Sequence, residues 1–132
     1  MIEYHIGEMA KHVNLSADTL RYYEKIGLMP KIARSSSGIR VYTDKDASRL
    51  KFVKRAQRMN FTLAEIGQLL EMRESPQSVR NEVRALTQQK LIQVEEQLEE
   101  LNTLRNELRL LINLCHGAKD GCPIIEEIDS PE

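Results

Sequence analysis

The residues best suited to chemistry in this sequence are two cysteines near its C-terminal end. Cys115 and Cys122 are the only cysteines of the 132-residue chain, and His116 directly follows the first of them. A local cysteine pair in a reducing compartment is more often a metal site or a redox site than a structural disulfide. Thiolates favour soft or borderline metal ions, and they are also open to oxidation. Both chemistries are therefore candidates at this pair.

The composition describes a chain with room for one modest domain and an extended element. Aromatic residues make up only 5% of the chain, which argues against an aromatic-lined ligand pocket. We find no nucleophile with an adjacent base and no phosphate-binding loop, so we expect no enzyme activity. There is no apolar run of membrane-spanning length and no signal-peptide pattern. We therefore expect a cytoplasmic protein without a membrane partner.

Charge is unevenly distributed along the chain, although the net charge is only −1. Residues 1–74 contain 13 Lys and Arg against 9 Asp and Glu, whereas residues 75–132 contain 6 against 11. A basic segment joined to an acidic one points to phosphate binding by the first segment. This division argues against a coiled-coil interaction module that has no role on DNA.

Two short helices with a tight turn between them are predicted in the basic segment. Apolar residues have helical spacing over residues 6–13, and Asn14-Leu15 is typical of a turn. Ser16 is a suitable N-cap for a second helix that we expect to end near Gly27. This pattern is that of a helix-turn-helix, although an ordinary helical hairpin has the same pattern.

The next segment, RSSSGIRVY over residues 34–42, predicts a small β-hairpin. Arginines flank a Ser- and Gly-rich tip that permits close approach to phosphates, although a solvated loop would have similar composition. Two more helices are predicted over Lys45–Arg58 and Leu63–Met72, and Glu74-Ser75-Pro76 is the expected domain boundary.

One long helix is then predicted from about Gln77 to Leu114, because this stretch has no Gly or Pro. Its apolar residues alternate in steps of four and three, with Arg105 as an exception in the series Val94, Leu98, Leu101, Leu108 and Ile112. This spacing indicates a coiled-coil seam. The rest of the chain is too short to cover the seam, so we expect a homodimer. Residues 115–132 are expected to form an effector loop and tail.

The runs DTLRYYEKIGLMP (residues 18–30) and RSSSGIRVYTDKD (residues 34–46) strongly resemble the mercury-resistance-regulator (MerR) family, in its metal-sensing branch. The resemblance extends over essentially the whole chain, through RAQRMNFTLAEIGQLL, the long helix and the cysteine loop. It implies a mainly α fold: a winged helix-turn-helix over residues 1–74, an antiparallel dimerisation helix over residues 75–114, and a metal-binding loop over residues 115–132.

The resemblance also implies a mechanism. A homodimer binds an inverted repeat in double-stranded promoter DNA, and the effector-bound form distorts the promoter so that RNA polymerase can engage both promoter elements. This would make the protein an activator of metal efflux or homeostasis genes. The implied DNA-binding residues lie on the second helix, the hairpin and the third helix, namely Arg21, Tyr22, Arg34, Arg40, Tyr42, Lys54 and Arg58. Tyr23 and Glu24 also belong to the motif, and we expect packing and an internal ion pair for them.

Counting back in sevens from Cys115 along the seam leads to Arg80. In an antiparallel dimer, Arg80 of one chain is expected near Cys115 and Cys122 of the other. Relatives that sense divalent ions usually have a third cysteine there, and copper-type sensors usually have a serine. Arginine cannot ligate a metal.

The sequence is therefore compatible with several effectors at the cysteine pair. Cys115 and Cys122 could bind Cu⁺, Ag⁺ or Au⁺ linearly, with Arg80 offsetting the negative charge. Alternatively, His116 joins them in a site for Ni²⁺, Co²⁺ or Zn²⁺. A thiol-redox or electrophile response of the same pair is the alternative function.

Overall fold

The computed structural model of the protein describes residues 2–116. The described chain divides into two compact units, of which the first ends at Leu86 and the second begins at Thr87. Within the described residues, the first unit contains three short strands and four helices, and a fifth helix begins in it. The predicted mainly α class is confirmed.

The first two helices form the predicted helix-turn-helix. α1 spans Ile6–Val13 and α2 spans Ala17–Lys25. Asn14 ends α1 in the left-handed region at φ 57°, and its backbone N–H returns to the last carbonyls of the helix. The Ser16 hydroxyl accepts a hydrogen bond of 3.0 Å from the Thr19 backbone N–H, as expected of an N-cap. These local signals fix the turn between the helices.

The three strands form an antiparallel sheet in the order β1–β3–β2. β1 is Glu3–Tyr4, β2 is Ala33–Arg34 and β3 is Arg40–Thr43. The hairpin of β2 and β3, called the wing below, was predicted, and Arg34 lies opposite Arg40 in it. β1 was not predicted, because a two-residue strand is defined by its pairing with β3 and not by its own pattern.

Two longer helices complete this unit. α3 spans Asp44–Arg58 and α4 spans Leu63–Glu74, two residues beyond the predicted end of α4. Thr43 and Thr62 begin them, each with a capping box that includes an acidic residue three positions on. The core is formed where the helices and the sheet meet, and its fully buried side chains include Met9, Leu20, Tyr42, Leu50, Val53 and Ile66.

A short 3₁₀ turn, Pro76–Ser78, separates α4 from the long helix α5, Asn81–His116. α5 therefore begins four residues later than predicted. The sequence Pro76 to Ser78 forms a tighter turn instead, and the carbonyl of Arg80 accepts the first helical hydrogen bonds of α5. No helix among residues 2–116 is both long enough and apolar enough to cross a membrane.

Candidate functional site

The exposed face of α2 presents Arg21 and Tyr22. About half of each of these two side chains is exposed, and Arg21 Nη1 lies 2.9 Å from Asp18 Oδ1. Asp18 is almost fully solvated, so this ion pair is weak and Arg21 can leave it for another partner. The opposite face of α2 buries Leu20 and Tyr23 in the core. One face of α2 thus packs against the core, and the opposite face is exposed to solvent.

Tyr23 has the packing role expected of it. Its ring is buried, and its hydroxyl donates to Gln57 Oε1 of α3 at 2.6 Å. Burial raises the pKa of this hydroxyl, and the hydrogen bond to Gln57 partly opposes that rise. The bond ties α2 to α3.

The wing is closed by hydrogen bonds at its tip. The Ser35 backbone N–H donates to the Ile39 carbonyl at 2.8 Å, and Gly38 adopts φ +83°. Arg34 Nη1 donates to the Gly38 carbonyl at 2.9 Å. The small tip residues therefore form an ordered turn beside a guanidinium group.

Glu24 of α2 bridges both strands of the wing. Its Oε2 accepts from Arg40 Nε at 2.7 Å, and its Oε1 lies 3.8 Å from Arg34 Nη2. The hydrogen bond to Glu24 is the main reason that the pKa of Arg40 is raised. The internal ion pair expected for Glu24 is confirmed, and its partners are Arg34 and Arg40, the two wing arginines among the four predicted to contact DNA.

Tyr42 does not have the exposed position expected of a DNA contact. Its side chain is only 1% exposed and belongs to the core. Its hydroxyl is buried without a hydrogen-bond partner in the described part of the chain. Burial, and then the negative charge of Glu24, raise the pKa of this hydroxyl. Tyr42 directly precedes the N-cap Thr43, a position where an apolar side chain packs against the helix that follows.

Lys54 and Arg58 differ in their surroundings. Lys54 Nζ donates to the carbonyls of Asn14 at 3.0 Å and Val13 at 3.3 Å, so its ammonium group caps the C-terminal end of α1. This contact was not predicted. Arg58 is exposed at the end of α3, as expected of a group that can reach a phosphate. Lys54 therefore stabilises the turn of the helix-turn-helix through the carbonyls at the end of α1.

An ion-pair cluster with a buried centre, Asp46 and Arg49, lies at the other end of α3. The side chain of Arg49 is buried. Its guanidinium contacts Asp46 Oδ1 at 3.0 Å and Glu74 Oε1 at 2.7 Å, and Lys45 lies 3.4 Å from Glu74. These contacts hold the pKa of Glu74 down at about 2, chiefly through the hydrogen bond from Arg49. Arg49 and Glu74 line a cleft of about 490 Å³ beside the start of α5.

The predicted seam of α5 is largely exposed in the single chain. Leu98, Leu101, Leu108 and Ile112 each have more than half of their side chain exposed. Val94 is half-buried. An apolar stripe of this length is typical of a helix that packs against a partner.

Cys115 lies in the last turn of α5, and it is half-buried and disulfide-bonded. His116 follows it on the helix and is exposed. Neighbouring residues of a helix point about 100° apart, so these two side chains do not converge while the helix is intact. Among residues 2–116, no three His, Cys, Asp or Glu side chains form a group that could hold a metal. Cys122 and the predicted loop lie outside the described residues.

Arg80, the residue expected near the partner's cysteines, directly precedes α5 and is exposed. It lines the same cleft as Arg49 and Glu74. The start of α5 therefore presents a cation at its surface.

Comparisons with known proteins agree with this arrangement. Residues 4–73 match the family described as "MerR HTH family regulatory protein", and residues 47–111 match "MerR, DNA binding". The HTH-type transcriptional regulator ZntR of Escherichia coli (strain K12) is 35% identical over 130 residues, which cover 96% of this chain and 92% of that protein.

Two solved structures extend the likeness. HiNmlR, a MerR family regulator lacking the sensor domain and bound to promoter DNA, has a TM-score of 0.69 at 25% identity and covers 98% of both chains. PbrR691 from Ralstonia metallidurans CH34, in complex with lead(II), has a TM-score of 0.57 at 36% identity and covers 93% of this chain and 97% of that one. The chain therefore belongs to the MerR family of helix-turn-helix, DNA-binding transcription regulators.

Proposed function

We propose that the protein is a metal-responsive transcription regulator that acts as a cytoplasmic homodimer on promoter DNA. The observation that carries the DNA-binding part is that α2 presents the exposed Arg21 while its Glu24 holds the wing arginines Arg34 and Arg40 beside the same helix. The metal-responsive part rests on a soft donor, Cys115, at the end of α5, and on the likeness to a lead(II)-bound relative.

The proposed DNA surface consists of exposed or half-exposed groups of α2, the wing and α3. Arg21 and Tyr22 would enter the major groove from α2, and Arg34, Arg40 and Arg58 would contact the phosphates on either side. Tyr42 and Lys54 would support this surface from behind, since one is buried and the other caps α1. The bound sequence would be an inverted repeat, because two identical chains related by a twofold axis read two half-sites.

The proposed dimer forms along the seam of α5. Burying its exposed leucines would remove from water an apolar stripe that is interrupted at Arg105, at roughly 25 cal/mol for each Å² of apolar surface. An antiparallel arrangement would bring Arg80 of one chain near Cys115 of the other. Arg80 would then offset the negative charge of metal-bound thiolates without being a ligand.

We propose Cys115 and Cys122 as the metal ligands, in the reduced state of the protein. A two-thiolate donor set fits a linear monovalent ion such as Cu⁺, Ag⁺ or Au⁺. The placement of His116 about 100° around the helix from Cys115 makes it the weaker candidate, and Ni²⁺, Co²⁺ or Zn²⁺ would require the last turn of α5 to unwind. Metal binding would change how the dimer distorts promoter DNA and so allow RNA polymerase to start transcription of metal efflux or homeostasis genes.

Anisotropy titration with the protein's own promoter DNA, followed by transcription in vitro, tests this function. We expect reduced protein to bind the duplex with and without metal, and to activate transcription only with metal. Arg21→Glu and Arg40→Glu should abolish binding, whereas Arg109→Glu, a matched charge reversal on α5, should not. If no metal binds, or if bound metal leaves transcription unchanged, metal sensing is wrong.

A thiol-redox or electrophile response of Cys115 and Cys122 is a second candidate, because thiolates are open to oxidation and to attack on electrophiles. Mass spectrometry after mild oxidation should then detect a bond between Cys115 and Cys122, together with altered transcription. Unmodified thiols under activating conditions would exclude this alternative.

A further inference from the structure

Glu24 places a carboxylate within the basic surface of α2 and the wing. Its side chain is 18% exposed and lies within 3.8 Å of guanidinium groups on both wing strands. Those two groups belong to Arg34 and Arg40, which face each other across the β2–β3 pair. One carboxylate thus joins the helix proposed to read DNA to both strands of the wing.

We propose that Glu24 is a positioning residue that determines specificity. It holds the two wing arginines in one place relative to α2. Its negative charge also weakens their attraction to DNA whose phosphates do not fit that placement. The inference rests on the proposed DNA surface and assigns to an acidic residue a role that the DNA-contacting residues do not have.

Binding to a specific site and binding to DNA of any sequence depend on the arginines in different ways. Binding to any DNA sequence depends on cations that move freely to phosphates and release counterions. An arginine held by a carboxylate cannot follow phosphates without losing its ion pair. On DNA that fits both α2 and the wing, the arginines can keep the pair and donate with their remaining N–H groups, since Arg40 uses only Nε in its bond of 2.7 Å. Specificity is the difference between the affinity for the fitting site and the affinity for other DNA. Glu24 would lower the affinity for other DNA more than the affinity for the fitting site.

The charges around Glu24 support this role over simple stabilisation of the fold. The carboxylate faces arginines whose side chains are 27% and 44% exposed, so both cations remain accessible from solvent. A partly exposed ion pair adds little stability. The pair is therefore better placed to orient the arginines than to hold the domain together.

Glu24→Gln tests the inference in the full-length dimer. The probes are a duplex selected by the wild-type protein from a random pool and a scrambled duplex of the same length, titrated by anisotropy at several salt concentrations. We expect tighter binding to the scrambled duplex and a salt slope steeper by about one to two. We also expect the affinity ratio of selected to scrambled duplex to fall roughly tenfold, a loss of the size caused by one poorly matched contact.

Two further variants separate charge from geometry. Glu3→Gln removes the same charge from an exposed position in β1 and should behave as the wild type. Glu24→Asp keeps the charge on a shorter side chain, so it should keep the wild-type salt slope and lose part of the affinity ratio. Thermal melting by circular dichroism identifies any variant that fails to fold. If Glu24→Gln does not fold, Glu24→Asp decides the matter alone.

The inference is overturned if folded Glu24→Gln keeps the wild-type ratio and slope, or if its two affinities fall by the same factor. It is also overturned if Glu24→Asp keeps the full ratio or steepens the slope. A wild-type dimer with no preference for any selected duplex would instead contradict the proposed function, so the two failures are distinguishable.

Discussion

Arg49 Nε donates to Glu74 Oε1 at 2.7 Å, and this bond joins α3 to the last residue of α4. The same guanidinium contacts Asp46 Oδ1 at 3.0 Å within α3. Glu74 is followed at once by Ser75 and the turn that leads into α5. The pair therefore fixes the point at which the chain leaves the helices of the DNA-binding unit.

Replacing Arg49 with Met should lower the free energy of unfolding by about 3 kcal/mol, because it leaves the buried carboxylate of Asp46 without its cation. Urea unfolding followed by circular dichroism measures this loss. The matched variant Arg55→Met removes an exposed arginine from the same helix and should change stability by less than about 0.5 kcal/mol. Equal effects of the two variants would contradict the structural role of Arg49.

Stability should fall in acid as Glu74 becomes protonated. The pKa of its carboxyl is lowered from 4.5 to about 2 in the folded chain, mainly by the hydrogen bond from Arg49. A lowered folded pKa gives stability that is present above the unfolded pKa and is lost as the pH falls toward the folded one. The melting temperature should therefore decline below about pH 5 and more gently in Glu74→Gln. Parallel curves for the two proteins between pH 5 and pH 2 would contradict this contribution.

Variants of Lys54 and Arg58 should distinguish a residue that stabilises the helix-turn-helix from one that contacts DNA phosphates. Lys54→Met should cost roughly 1 kcal/mol of stability, because the α1 carbonyls lose a charged donor, and it should leave the salt slope of DNA binding unchanged. Arg58→Gln should leave stability nearly unchanged and reduce the salt slope by about one per protomer. Melting curves and anisotropy at several salt concentrations give both quantities. A lowered slope in Lys54→Met would show that its ammonium contacts phosphate after all.

The seam of α5 predicts a contrast between two leucines. Leu101 lies on the seam and Leu110 does not, although their side chains are 61% and 57% exposed in the single chain. Leu101→Asp should place a charge in the dimer interface and shift the protein to monomer. Leu110→Asp should remain dimeric. Sedimentation measures both states, and equal behaviour of the two variants would contradict the predicted seam.

The sequence predicted the helix-turn-helix and the wing well because their signals are local. Ser16 and Gly27 mark the ends of α2, and the Ser-rich tip marks the hairpin. The start of α5 was placed four residues early because Pro76, suited to the first turn of a helix, begins a separate 3₁₀ turn instead. Local patterns gave no warning that Arg49 would be buried, since its partner Glu74 is 25 residues away.

The surroundings of the residues proposed to contact DNA could be predicted only in part. Exposed Arg21 and Tyr22 stand where the helical pattern places them. Lys54 could not be predicted as a cap of α1, because the contact joins residues 40 or more positions apart. The burial of Tyr42 did have a signal, since it precedes the N-cap of α3, where apolar residues pack inward.

We propose that the cysteine pair binds a metal ion which switches the regulator. Metal analysis of the purified, fully reduced dimer, with chelator competition for each candidate ion, tests it most directly, with Cys115→Ser measured alongside. We predict one tightly bound ion per cysteine pair in the wild type and none in Cys115→Ser, with Cu⁺ or Ag⁺ preferred over Ni²⁺, Co²⁺ and Zn²⁺. No retained metal, or equal retention by Cys115→Ser, would contradict the claim.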